Sequence, residues 1–302
     1  MSAVRARMGA GQVLRRSRRR TWTAERSATT GALLAAPLIG FIAVLLLYPL
    51  FRLVSISTGE PDGLGNVSGF FEGSANLRVL RITLVDSLIV TVLSVAVGAV
   101  IAWSMRTTRS TAFRLLLWAA MILPFLMGSV NKLYALGVIL QTEGIVNTVL
   151  MEVGITDHPV EMLYTQFAVV LGMVYQMLPF AVLPLYASFR TISPELVLAA
   201  ESLGASRLRA LANTVVPLAL PSVLASATIV FMISVGFVLT PVLLGGATAP
   251  FMASFINSAL FDFYNLARAA VTSLVLLICA LVVVVVAFVF LGRDRLSKAV
   301  AS

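Results

Sequence analysis

Six long, nearly unbroken apolar stretches divide the chain, at about Gly31 to Val54, Leu84 to Trp103, Leu115 to Leu140, Leu163 to Phe189, Val223 to Leu244 and Ala270 to Leu291. Each reaches the length of about 20 residues that a helix needs to cross a hydrocarbon core. In lipid only a helix or a closed barrel satisfies its own backbone. The pattern therefore predicts an all-α, polytopic membrane protein with six transmembrane helices. Composition agrees, since 302 residues that are 59% hydrophobic and only 12% charged are far more apolar than a soluble domain.

The charge is unevenly distributed. Of a net +9, much sits before the first apolar stretch, in Arg5, Arg7, Arg15, Arg16, Arg18, Arg19, Arg20 and Arg26. Placing the N-terminus in the cytoplasm puts Arg106, Arg109, Arg114, Arg190, Arg207, Arg209, Arg293, Arg295 and Lys298 on that same side. The opposite connections then carry the acids Glu60, Asp62, Glu72, Glu143, Glu152, Asp157, Glu161 and Asp262. Both termini are thus expected in the cytoplasm. A basic tail at 1–30 leads into a transmembrane domain at 31–292 with a cytoplasmic loop at 190–221, and a short tail follows at 293–302. The arginine pairs also fit an export signal, but the run after them is long enough to span and lacks a cleavage site of small residues, so it reads as a retained helix. No aromatic interleaving or binding module supports a nucleic-acid role.

Several kinds of chemistry find no residues to carry them. Cys279 is the only cysteine and His158 the only histidine, which leaves no disulfide framework and no metal-ligand cluster. The spans hold no Ser/His pair and no aspartate pair for an intramembrane enzyme. With Lys132 and Lys298 as the only lysines, there is no phosphate-binding loop ending in Gly-Lys-Ser/Thr. Catalytic residues are expected to be absent. A stand-alone secondary transporter would couple through intramembrane acids, and these are nearly missing.

Pro124, Pro179, Pro184, Pro241, Gly98, Gly128, Gly172 and Gly236 interrupt the apolar stretches. Kinks or unwound turns are expected there, serving either gating or ordinary bundle packing. The loop after Arg190 carries a sharper signal. Ser193 suits an N-cap, Pro194 a first helical position and Glu195 the positive helix end, while Gly204 closes the helix. Leu196, Ala199, Ala200 and Leu203 share one face. Ser206 begins a second helix that Pro217 and Pro221 are expected to disturb. Such an element either docks into a partner's groove or lies on the bilayer surface.

At Leu198-Ala199-Ala200-Glu201-Ser202-Leu203-Gly204, continuing to Pro217 and Pro221, the loop resembles that of the permease subunits of binding-protein-dependent ABC importers. Leu198 stands where that family has a leading glutamate. Further likeness to the spermidine/putrescine branch lies in Leu123-Pro124, Val130 to Ala135, Gly144 to Asn147, Leu178 to Phe180, Leu183 to Tyr186 and Gly236 to Gly246. Lys132 replaces an arginine and Leu136 a tryptophan. The resemblance covers about residues 30 to 292 and implies the type I importer fold and a multi-pass protein of the cytoplasmic membrane. It further implies a second permease subunit, usually a paralogue, two ATPase subunits that bind ATP and magnesium, and an extracytoplasmic solute-binding protein. Coupling to the ATPases would fall to Glu195, Leu198, Ala199, Ala200, Glu201, Gly204, Ala205 and Pro217. Polar residues in or near the spans are candidates for the solute path: Asp86, Asn131, Lys132, Tyr134, Tyr175, Gln176, Ser234 and Thr240. Packing between helices is the other use for such groups. A polyamine would need acidic or aromatic groups along its route, whereas a buried Lys132 would favour an organic anion, a phosphonate-type compound or an amino-acid derivative.

Overall fold

The computed structural model describes residues 37–59, 63, 65–246 and 248–300, with backbone alone at 207, 208 and 290–300. The expected basic tail at 1–30 lies outside the described residues. Two compact units divide at residue 55. The first contains nearly all of helix α1 (Pro37–Ser57), an apolar helix of 21 residues. The second begins at Ile56 and holds the rest.

In the second unit a short helix α2 (Gly65–Glu72) leads into α3 (Ser74–Thr107), followed by α4 (Thr111–Leu126), α5 (Ser129–Leu140) and α6 (Ile145–Glu152). Then come α7 (Gln166–Thr191), the loop helix α8 (Glu195–Ser202), a single turn α9 (Arg207–Ala210) and α10 (Val216–Val235). Helices α11 (Met252–Phe261) and α12 (Leu266–Val300) complete it. Among the described residues, six helical stretches are long and apolar enough to cross a membrane, as the apolar pattern predicts.

Two of the six sit elsewhere than expected. The stretch from Leu115 to Leu140 is not one helix. It breaks at Gly128, after Met127 in extended backbone, and the membrane-length stretch is instead Ser129–Glu152, itself α5 and α6 joined by a turn at 141–144, with α4 a separate helix of 16 residues. The fifth span, expected at Val223 to Leu244, runs over Leu211–Val235. Pro217 does not stop it, because the preceding turn, Leu211–Val215, is a π turn in which the Val216 N–H donates to the Leu211 carbonyl. The hydrogen-bond ladder slips by one residue just before the proline that cannot contribute to it, so both Pro217 and Pro221 are carried inside one continuous helix. A second π turn, Pro241–Gly245, follows the end of α10 at Gly236. The flagged Pro179, Pro184, Gly98 and Gly172, by contrast, lie inside unbroken helices. The last helix also continues past the expected boundary at 292, to Val300.

Helices α3, α7 and α10 pack on one another as the centre of this unit. Val90, Met173, Met177, Val230 and Phe251 are sealed at their meeting point. A second cluster, around Phe231, Met252 and Val275, joins α10, α11 and α12. A third, built on Met105, Leu185, Phe189, Ile192 and Val215, lies at the end that carries α8. Close approach depends on Gly172. A Cβ there would stand 2.6 Å from Leu244 Cδ1 and 2.9 Å from Thr240 Cγ2, so the bare Cα lets the second π turn sit close on α7 without displacing those side chains.

Side chains tie distant backbone together where lipid supplies no water. Thr83 of α3 accepts from the Met252 N–H at 2.8 Å, capping the first turn of α11 from 169 residues away. The same hydroxyl donates to the Val79 carbonyl at 2.9 Å. Asn147, fully buried, donates to the carbonyls of Gln141 and Val160 and accepts from the Val160 N–H at 2.8 Å. It thereby pins the connection between α6 and α7.

Candidate functional site

Two groups of residues bear on function, one at each level of the bundle. The first is the element from Ile192 to Ser206. Ser193 Oγ accepts from the Glu195 N–H at 3.3 Å, which supplies the side-chain cap expected of it, and Pro194 takes a helical conformation in the entry turn. At the other end Gly204 has φ +90°, a region that L side chains rarely adopt. Its N–H donates to the Glu201 carbonyl at 2.9 Å, and the Ala205 N–H donates to the Ala200 carbonyl at 3.1 Å. This pair of bonds is the Schellman closure, which uses a left-handed residue to satisfy the last carbonyls of a helix.

No residue of α8 is buried. Val197 packs partly on the cluster around Phe189 and Ile192, with Ala200 and Glu201 half-buried beside it. Outward lie Leu196, Ala199 and Leu203, and Leu203 is 90% exposed. The apolar face expected from spacing is thus the outer one, except that Ala200 turns inward. Glu195 and Leu198 are exposed as well, and Ala205 is half-buried. Pro217 stands apart from this group, in the first turn of α10. Sequence reasoning had counted Arg106 only as a charge on the cytoplasmic side. Its guanidinium lies 4.9 Å over the Trp103 ring and donates through Nη2 to the Ile192 carbonyl, so the end of α3 holds the strand that leads into α8.

The second group comprises the polar residues within the spans, and they do not form one lining. Asp86, Ser234 and Thr240 are fully buried, and Gln176 and Lys132 nearly so. Asp86 Oδ1 accepts from Gln166 Nε2 at 2.5 Å, joining α3 to α7, while its Oδ2 has no partner among the described residues. Gln176 Nε2, Ser234 Oγ and Thr240 Oγ1 are likewise enclosed and unpaired. Lys132 directs its ammonium to the half-buried Tyr175 ring, 6.0 Å from the centroid, rather than to Asp86 or to the exposed Glu143. Only Asn131 and Tyr134 present themselves outward, one turn apart on α5, with Tyr134 62% exposed. Gln166 and Thr83 were not singled out from the sequence. Their roles depend on partners 80 and 169 residues away, and no local pattern signals such pairs.

A chain with six membrane-length helical stretches and a capped, outward-facing loop helix has matches among known proteins. The model of the family described as "Binding-protein-dependent transport system inner membrane component" matches residues 94–298. The chain belongs to this family. It is a multi-pass inner-membrane transport component. Among its relatives is the spermidine/putrescine transport system permease protein PotB of Escherichia coli, 32% identical over 201 residues that cover 67% of this chain and 73% of the relative. PotB of Haemophilus influenzae is 33% identical over 170 residues, covering 56% and 59%. Among solved structures, a bacterial ABC transporter that imports the acidic polysaccharide alginate superposes with a TM-score of 0.70 at 18% identity, covering 91% of this chain and 99% of that one. A second alginate transporter structure, in complex with a pentasaccharide-bound periplasmic protein, gives a TM-score of 0.72 at 19% identity, covering 87% and 94%. These two establish the fold of the permease bundle.

Proposed function

We propose that this permease carries a polyamine of the spermidine/putrescine class across the cytoplasmic membrane, with both termini in the cytoplasm. The observation behind this reading is the 32% identity to a spermidine/putrescine permease across two thirds of the chain. The buried arrangement of Lys132 fits it. Lys132 is buried as a residue and turns its ammonium toward the Tyr175 ring, whose face partly offsets the positive charge that would otherwise favour an anionic cargo. Asn131 and Tyr134, outward on α5, are the candidate residues that face the space between two permease subunits. Tyr134 offers a ring face to an ammonium group. Asp86 acts behind that face by joining α3 to α7 through Gln166, and Tyr175, Gln176, Ser234 and Thr240 lie buried or half-buried in the same layer.

Energy comes from separate ATPase subunits that bind ATP and magnesium, and a solute-binding protein delivers the cargo to a second permease paired with this one. The chain's own part is mechanical. The coupling surface consists of Glu195, Ala199 and Leu203 on the outer side of α8, with the exposed Leu198 at its margin bordering the cavity beneath the helix, and Ala200, Glu201, Gly204 and Ala205 keep that surface in place. Movement of the docked ATPases is transmitted through Ile192 and Arg106 into α7 and α3, biasing a two-state bundle between its inward- and outward-open forms. The test is ATP hydrolysis by the reconstituted complex in the presence of its binding protein. Stimulation by spermidine or putrescine is expected. Stimulation by a carboxylate or phosphonate but not by polyamines would retain the importer and overturn the cargo. Hydrolysis unaffected by any loaded binding protein would overturn the importer reading itself.

A further inference from the structure

At the end of the bundle that carries α8, an apolar slot meets a basic cavity. The slot, about 310 Å³, is walled by Val100 and Trp103 of α3, Phe189 of α7, and Val215, Ala219 and Val223 along the approach to and first turns of α10. Ser104 is the only hydroxyl on its wall. The cavity, about 790 Å³, lies between the end of α3 and the underside of α8, and Trp103 and Leu211 line both spaces. Arg106 and Arg109 charge it, with Glu201 the one acid among its lining residues. Arg106 is fixed there by Trp103 and the Ile192 carbonyl, whereas Arg109 is exposed.

The order of chemistry along this path is informative. From inside the bundle outward come aliphatic side chains, then an indole, then two guanidinium groups. Within the spanning length an open apolar slot offers water no hydrogen bond, so hydrocarbon is its favourable content. Indoles settle at the headgroup level. Basic pockets between helices on the cytoplasmic side bind anionic headgroups. A soluble anion would use the arginines and leave the slot unfilled, and a neutral lipid would use the slot and leave the arginines without a counter-charge.

We propose that slot and cavity together form a binding site for an anionic phospholipid, with an acyl chain in the slot and the phosphate on Arg106 and Arg109. The cavity's other wall is Val197, Leu198 and Glu201 of α8, so the headgroup supports the loop helix from beneath and ties its position to the composition of the membrane.

The experiment uses the transporter assembly purified with its partners, equilibrated with phosphatidylglycerol, phosphatidylcholine or inorganic phosphate, and observed by native mass spectrometry. Phosphatidylglycerol is expected to be retained several-fold over phosphatidylcholine. Arg109→Ala, at an exposed position outside every helix, is expected to lower that retention about five-fold, the effect of one basic residue near an anionic lipid. Arg78→Ala and Arg81→Ala, at the opposite end of α3, leave it unchanged. Photoreactive phosphatidylglycerol is expected to label residues 99–109 and 211–223, and Val223→Phe, which fills the slot, to remove that label. Equal retention of the two lipids, displacement of phosphatidylglycerol by inorganic phosphate alone, or labelling that survives both Arg109→Ala and Val223→Phe would each overturn the site. So would an absence of label in the assembly, which would mean that a protein partner covers the slot.

Discussion

The loop helix and the α3–α7–α10 centre are stabilised in opposite ways. Helix α8 takes its shape almost wholly from residues within a dozen positions: the Ser193 cap, Pro194, and the left-handed Gly204 with its two closing hydrogen bonds. None of its residues is fully buried, and its apolar outer residues are left uncovered. The centre takes its shape from groups far apart in sequence, such as Thr83 with Met252 and Asp86 with Gln166, and it hides almost every polar atom it contains. A region built from local signals can shift without breaking pairs elsewhere in the chain, because its hydrogen bonds are internal to it. A region built from long-range pairs resists displacement until the pairs exchange, which is how a packed interior becomes a two-position switch.

This contrast can be broken at the loop helix first. Gly204→Val forces a β-branched residue to φ +90°, at a cost of about 1–3 kcal/mol, although nothing lies within 4 Å of the new Cβ. Transport is expected to fall at least about ten-fold, while the chain still inserts and its melting in detergent stays close to wild type. Gly204→Asn, which tolerates left-handed backbone, should recover most of the transport, and a failure to do so would remove the turn geometry as the cause. The reverse pattern is expected in the centre. Thr83→Val leaves the buried Met252 N–H without an acceptor and should cost about 1–3 kcal/mol in thermal or denaturant stability, with Thr83→Ser close to neutral. The smallest change tests the uncovered surface. Leu203→Ser should alter stability by less than about 0.5 kcal/mol, yet weaken co-purification with the ATPase subunits. A clear loss of stability would mean that Leu203 packs within its own chain.

How much was legible follows from the same division. Apolar length alone gave the number of spans, and capping chemistry gave the loop helix with its glycine end. The third and fifth spans were misplaced because hydropathy does not register hydrogen-bond continuity. Pro124 and Gly128 mark an interruption in the run from Leu115 to Leu140, and the helix does break at Gly128, but apolar composition on both sides of it does not tell a kink from a full break. Near Pro217 the opposite error arose. A proline read as a disturbance is absorbed by a π turn that starts six residues earlier, and whether a ladder slips or breaks is decided by packing, here on Phe189 and Ile192. Within the candidate site, residue type correctly picked out polar groups at membrane depth. It could not separate Asn131 and Tyr134 from Lys132 and Gln176, because the direction in which a side chain points depends on which neighbouring helices surround its own.

A helix of eight residues with no buried side chain is too short to persist on its own account, and the chain on either side of it is accessible. Away from a partner, the stretch from Ser193 to Ser206 therefore opens more readily than the packed α3–α7–α10 centre and is open to a protease. On the proposed coupling, an ATPase seated over Leu203 would shield the same stretch, so resistance to limited proteolysis there would report whether the loop helix is covered.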